Sequence, residues 1–115
     1  THGPVPSGGI MPDEMNRLEK AWADELTLAH NAGEISWFGY EPVKLYLTSG
    51  KLTSYTPDFM VRLPDGTIRF DETKGFWRED ARVKIKVAAD KYRLLFKFQA
   101  LTLLSKGRGW KIEQF

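Results

Sequence analysis

The spacing of apolar residues along the chain predicts two helices. Between residues 13 and 32 apolar side chains recur every three or four positions, which places them on one face of a helix. The members of this stripe are Met15, Leu18, Trp22 and Leu26, with Leu28 and Ala29 behind them. Gly33 follows as a C-terminal stop. A second stripe predicts a helix over about 79–92, and it consists of Ala81, Ile85, Ala88 and Tyr92.

Elsewhere the apolar period shortens to two, which predicts strands. The predicted strands are "ISWFGY" (35–40), "VKLYLT" (43–48), "YTPDFMVRL" (55–63), "TIRFDET" (67–73), "LLFKFQALTLL" (94–104) and "GWKIEQF" (109–115). The order is a helix, three or four strands, a helix and two strands, which predicts an α/β protein whose mixed sheet is flanked by helices. Residues 1–10, rich in Gly and Pro, are predicted to be a flexible N-terminal tail, and 11–115 a single domain.

Composition narrows the classes of protein. The 115 residues are 42% hydrophobic, which is typical of a globular domain with one core. The absence of cysteine excludes disulfides and cysteine-based zinc sites, and two histidines argue against a multi-histidine metal site. No apolar run reaches the roughly 18–20 residues of a membrane span, so we expect an intracellular protein with no membrane partner. The formal net charge of +2 permits a nucleic-acid partner without requiring one.

The segment "LPDGT" (63–67) sets the register of a predicted hairpin. Pro64 suits the second position of a type I turn, and Gly66 suits the left-handed position that follows. This is a three-residue loop with a glycine bulge, in which Leu63 pairs with Thr67. The alternative, a two-residue Asp-Gly loop, puts Pro64 at a paired strand position, where proline fits poorly.

The three-residue register places two carboxylates opposite each other. Asp58 lies opposite Glu72, and Lys74 follows two residues later on the same face. Like charges at directly paired positions destabilise a sheet unless a cation compensates them. Lys74 or a divalent metal with oxygen ligands supplies that charge. The alternative interpretation is a surface hairpin whose acidic residues are only solvated.

These residues also carry a resemblance to a known family. Pro57-Asp58, thirteen residues and then Glu72-Thr73-Lys74 resemble the PD-(D/E)XK motif of the restriction-endonuclease-like nuclease superfamily. The segments "EKAWADELTLAHNAGEI", "YTPDFMV" and "DETKGFWREDARVKIKVAADKY", in that order, resemble small phage-encoded endonucleases, which include Holliday-junction-resolving enzymes. The resemblance covers about residues 13–104.

The resemblance implies both a fold and an active site. It implies a restriction-endonuclease-like core of α-β-β-β-α-β order. It makes Asp58 and Glu72 ligands of Mg²⁺ or Mn²⁺, and it makes Lys74 the residue that orients and helps deprotonate the attacking water. Many members add a carboxylate from the first helix, and Glu19 is the matching position, with Glu14 and Glu25 as alternatives. Whether Lys74 accepts a proton or only stabilises hydroxide is left open.

Two functions follow as hypotheses. The first is a metal-dependent endonuclease that cleaves DNA, including branched DNA, by attack of an activated water, as a phage protein inside its host cell. The second is a non-catalytic DNA-binding or assembly module on the same fold. Symmetric dimers are usual among the junction-resolving relatives, so a homodimer is a further expectation, formed through aromatic residues predicted to be exposed at Trp37, Phe38 and Tyr40.

Basic residues after the motif are the predicted grip on DNA. A basic ridge beside a metal site suits binding of the phosphate backbone, and an aromatic side chain beside it suits stacking on bases. The predicted contact residues are Trp77, Arg78, Arg82, Lys84 and Lys86. The alternative is a solvated helix face with a core aromatic.

Overall fold

The protein is an α/β structure with nine elements in the part of the chain that the computed structural model describes, residues 15–47, 54–75, 79–105 and 107–115. They are α1 (Arg17–Asn31), β1 (Trp37–Tyr40), β2 (Leu45–Tyr46), β3 (Ser54–Tyr55), β4 (Phe59–Arg62), β5 (Ile68–Thr73), α2 (Glu79–Lys91), β6 (Phe96–Leu103) and β7 (Trp110–Gln114). The predicted class and both predicted helices are confirmed. The predicted tail at 1–10 lies outside the described residues.

Five strands form one mixed sheet in the order β1-β4-β5-β6-β7. The pairs β1–β4, β4–β5 and β6–β7 are antiparallel, and β5 and β6 are parallel, joined through α2. Strands β2 and β3 form a separate two-stranded ribbon. In the chain, this ribbon falls between β1 and β4, which are neighbours in the main sheet.

The predicted hairpin register is confirmed. Phe59 pairs with Asp71, and the Leu63 N–H donates to the Thr67 carbonyl at 2.8 Å. Gly66 has φ +91°, the left-handed conformation that the bulge requires and that glycine adopts without strain. The side chains of Phe59 and Val61 therefore face one side of the sheet, and those of Met60 and Phe70 face the other.

Helix α1 covers the first of these faces. Its buried residues Trp22 and Leu26 belong to a core with Phe59 and Val61, as the predicted stripe requires, whereas Leu28 is exposed. The prediction of exposed aromatics on β1 is wrong for two of three residues, because they point toward α1. Phe38 is 3% and Tyr40 is 4% exposed, while Trp37 is half-buried, and the predicted dimer surface therefore loses its main residues.

Helix α2 covers the opposite face. Ile85 and Ala88 are buried against Phe70 and Phe98, so the prediction of a sheet with a helix on each side is confirmed. The ribbon joins this second core through its own buried side chains, Leu45, Leu47 and Tyr55. Neither of the described helices combines the length and the apolar character needed to cross a membrane.

Candidate active site

Three acidic residues form a row across one end of the sheet. The β4–β5 register, continued by one residue, places Asp58 opposite Glu72 as the sequence predicted. The β1–β4 register, continued by one residue in the same direction, places Glu41 opposite Asp58. The Glu41 N–H donates to the Asp58 carbonyl at 2.8 Å, which confirms this pairing. Glu41 directly follows β1, Asp58 directly precedes β4, and Glu72 lies within β5. The three carboxylates therefore lie at the same end of the sheet.

Glu19 of α1 reaches the same end of the sheet. Its own N–H donates to the Asn16 side chain at 2.8 Å, and its Oε1 accepts from the Asn16 N–H at 2.9 Å, a reciprocal arrangement that fixes the first turn. The same Oε1 accepts from the Tyr40 hydroxyl at 2.8 Å. Glu19 is 8% exposed, whereas Glu25 is exposed and Glu14 lies outside the described residues. Of the two described helix carboxylates proposed from the sequence, Glu19 is the one that faces the site.

Sequence reasoning missed Glu41. Its φ of +48° is in the left-handed region, which is uncommon for a residue other than glycine and is further disfavoured before a proline, here Pro42. Such a conformation costs about 1–3 kcal/mol and persists only where the surroundings impose it. The local signal was an acidic residue directly after a strand, but its importance depends on a pairing with β4 that no local turn specifies.

Asp58 is the centre of the group. Its Oδ2 accepts from the Thr73 N–H at 2.9 Å and from the Thr73 hydroxyl at 3.0 Å. Among the described residues no donor contacts its Oδ1. Burial and the nearby Glu72 carboxylate raise the pKa of Asp58 to about 8, and the bonds from Thr73 oppose this rise only in part.

Glu72 and Lys74 form the second part of the site. Glu72 Oε1 accepts from the Asp58 N–H at 3.1 Å and from the Tyr55 hydroxyl at 2.8 Å. Glu72 Oε2 lies 3.3 Å from Lys74 Nζ. Burial raises the pKa of Glu72, and Lys74 acts in the opposite direction. Burial and Glu72 likewise keep the pKa of Tyr55 well above its ordinary value, so Tyr55 remains a hydrogen-bond donor.

Among the described residues, the acidic group whose oxygens lie close together differs from the one that the sequence predicted. Glu19, Glu41 and Asp58 each offer a carboxylate oxygen within 4.8 Å of the other two. Glu72 adjoins this group through the Asp58 backbone but is not one of its three members. The structure therefore brings Glu19 and Asp58 together with Glu41, a residue that the sequence analysis did not propose. Glu72 and Lys74 lie next to this group and outside it.

Asp71, next to Glu72 in sequence, belongs to the structural core. It is fully buried and accepts from Trp22 Nε1 at 2.9 Å and from Arg69 Nε at 2.7 Å. The alternating directions of strand side chains explain this separation of neighbours, since Asp71 faces α1 and Glu72 faces α2.

The residues predicted to contact DNA lie in different environments. Lys84 lines a cavity together with Glu72, while Lys86 lines another with Arg93 and Phe115. Arg82 forms an ion pair with Glu113 of β7, in which its Nη1 donates to Oε1 at 3.2 Å. The role of Arg82 and Lys86 in DNA binding stays a prediction. Trp77 and Arg78 lie outside the described residues.

Comparisons with known proteins assign no family to this site: no protein-family model, curated protein or solved structure matches the chain.

Proposed function

We propose that the protein is a divalent-metal-dependent nuclease that cleaves DNA by attack of an activated water. The observation that carries the proposal is the convergence of Glu19, Glu41 and Asp58 at one end of the sheet, beside the Glu72–Lys74 pair. Structural cores do not bring carboxylates together without compensation, because burying unpaired negative charge is costly.

The donor set fits Mg²⁺ or Mn²⁺. Every candidate ligand atom is a carboxylate oxygen, the type that hard cations prefer. Opposite ligands of an octahedral Mg²⁺ stand about 4.2 Å apart at the usual bond lengths, so oxygens within 4.8 Å of one another can contact a single ion after small adjustments. The raised pKa of Asp58 points the same way, since a cation beside the carboxylate offsets the burial and the repulsion from Glu72 that raise it.

The chemistry is divided among these residues. A divalent cation supplies positive charge that stabilises the charge developing on the phosphodiester and acidifies water. Glu19, Glu41 and Asp58 would hold it, and Thr73 keeps Asp58 oriented through two hydrogen bonds. Glu72 as a further metal ligand stays a prediction. Lys74, held 3.3 Å from Glu72, orients the attacking water and contacts the scissile phosphate. Tyr55 fixes the Glu72 carboxylate in turn.

The order of elements supports a restriction-endonuclease-like core. Without the β2–β3 ribbon, the chain runs α1, β1, β4, β5, α2 and β6, which is the α-β-β-β-α-β order of that superfamily. The motif residues fall where the order requires, with Asp58 before β4, Glu72 within β5 and Lys74 directly after it. The ribbon and β7 are additions to that order.

Cleavage of labelled DNA tests the proposal. Linear duplex, single-stranded and four-way-junction DNA are incubated with the protein and Mg²⁺, Mn²⁺ or EDTA. We expect cleavage that EDTA abolishes and that Asp58→Asn, Glu72→Gln and Lys74→Met each reduce by at least about a hundredfold, in line with the loss of a group that acts in the transition state. Glu25→Gln, an exposed carboxylate of α1, is the matched control and retains activity.

Two results contradict the proposal. If any of the three variants retains full Mg²⁺-dependent cleavage, the substituted residue does not have its proposed role in catalysis. Binding of DNA without cutting under every metal condition supports instead a non-catalytic DNA-binding or assembly module on this fold.

A further inference from the structure

A polar cavity opens next to Glu72, on the α2 side of the sheet. It has a volume of about 410 Å³ and lies between the β2–β3 ribbon and α2. Its walls carry two lysines, Lys44 before β2 and Lys84 on α2, and two hydroxyl groups, those of Ser54 and Thr56. Glu72 also lines the cavity, and it contacts the backbone N–H of Asp58, one of the carboxylates proposed to bind metal.

The walls of this cavity are held in place by contacts outside it. Lys91 Nζ donates to the carbonyls of Tyr46 at 3.0 Å and Leu47 at 3.2 Å, and the Tyr92 hydroxyl donates to the Tyr46 carbonyl at 2.7 Å. These bonds tie the ribbon to the end of α2. Tyr55 packs in the second core on one side and bonds to Glu72 on the other, so the ribbon is also fixed to the active-site edge.

The charge of the cavity favours an anion. Lys44 and Lys84 make no hydrogen bond or ion pair with any residue that the structure describes, in contrast to Lys91 and Arg82, which do. Lys74 Nζ lies 3.3 Å from Oε2 of Glu72, the acidic residue that lines the cavity. Two cations and two hydroxyl donors are therefore available to a ligand, and these groups suit the oxygens of a phosphodiester.

We propose that this cavity, the Lys44/Lys84 cleft, binds the sugar-phosphate backbone of a DNA strand next to the phosphate that is cut. The inference rests on the proposed nuclease function and adds the path of the substrate, which enters between the ribbon and α2 and reaches the metal-binding carboxylates past Glu72. Contacts of this kind position a strand without reading its sequence. Lys44 is a new member of the DNA-binding set.

Equilibrium binding of a fluorescein-labelled DNA duplex, measured by anisotropy in EDTA at several salt concentrations, tests the cleft. We expect Lys44→Ala and Lys84→Ala each to weaken binding roughly fivefold to tenfold near 0.1 M salt. Each also lowers the slope of log K against log salt by about 0.9, as the loss of one phosphate contact requires. Lys44→Arg and Lys84→Arg retain most of the affinity, which a purely structural role of the side chain does not predict.

Lys97→Ala is the matched control. Lys97 of β6 is exposed and pairs with Arg69 of β5. Arg69 precedes Glu72 by three residues, so this pair lies about 10 Å from Glu72 along the strand, toward the hairpin turn. Its replacement is expected to leave affinity and slope unchanged. Thermal unfolding of each variant verifies that the fold is retained.

The outcomes separate the cleft from the nuclease function. Three results overturn the proposed cleft, even where Mg²⁺-dependent cleavage is present. Both alanine variants bind DNA with wild-type affinity and slope, Lys97→Ala loses as much affinity as they do, or the wild type binds no DNA. Lysine-dependent binding without any metal-dependent cleavage supports the cleft and overturns the nuclease.

Discussion

Asp58 connects the two parts of the candidate site at the scale of single residues. Its carboxylate belongs to the group with Glu19 and Glu41, and its backbone N–H donates to Glu72. Thr73 occupies only one carboxylate oxygen of Asp58. If the carboxylates bind metal as proposed, Asp58 responds to both pH and metal, because a proton and a cation compete for the same negative charge.

The raised pKa of Asp58 predicts how stability depends on pH without metal. Between the ordinary value of 3.8 and about 8, the folded state holds a proton at Asp58 that the unfolded state has lost. The free energy of unfolding therefore falls as pH rises through this interval, by at most about 1.4 kcal/mol per pH unit. The raised pKa of Glu72 acts in the same direction.

Urea denaturation in EDTA at pH 5, 6, 7 and 8 measures this effect. We expect Asp58→Asn to lose less stability over the interval than the wild type, since Asn cannot ionise. Titration of groups away from Asp58 contributes equally to both proteins and cancels in the difference, whereas Glu72 interacts with Asp58, so the difference measures the Asp58–Glu72 pair. Equal pH dependence in the two proteins is the result that excludes a proton on Asp58.

At the scale of elements, Asp71 ties α1 and β5 together. The carboxylate accepts from Trp22 of α1 and from Arg69 of its own strand, and Trp22 packs edge-on against Trp110 with ring centroids 5.0 Å apart. Because Glu19 and Trp22 lie on the same helix, this contact also sets the position from which Glu19 reaches the site.

Asp71→Ala is expected to lower the free energy of unfolding by about 2–4 kcal/mol. The substitution leaves the buried Trp22 N–H and the partly exposed Arg69 without their acceptor. Urea denaturation measures the loss, with Asp24→Ala, an exposed carboxylate of α1, as the control that stays near the wild type. Equal stability of the two variants removes the role assigned to Asp71.

The sequence predicted those contacts that neighbouring residues determine. The turn at 63–67 specifies the β4–β5 register, and with it the position of Asp58 opposite Glu72. Glu41 was missed because its partner strand β4 follows an intervening ribbon, so no turn encodes the β1–β4 register. The error at Phe38 and Tyr40 has a similar origin, since period two separates the faces of a strand but does not say which face a helix covers. The ion pair between Arg82 and Glu113 likewise depends on where β7 lies.

At the scale of the whole molecule, the candidate site lies at one end of the sheet, between the helices that cover its two faces. Glu19 comes from the helix that covers one face of the sheet, while Glu72 and the Lys44/Lys84 cleft belong to the other face. Both reach the same end of the sheet, where Glu19, Asp58 and Glu72 lie. Under the proposed function, α1 supports the metal-binding side of the site, and α2 with the ribbon supports the DNA-binding side.

Titration of the protein with Mn²⁺ in a calorimeter, after treatment with EDTA and its removal, is the most direct test of the proposed metal centre. We expect saturable binding that Asp58→Asn and Glu41→Gln each weaken by at least about tenfold, while Glu25→Gln binds as the wild type does. Absence of saturable binding by the wild type, or unchanged binding in both Asp58→Asn and Glu41→Gln, contradicts a metal centre formed by these carboxylates.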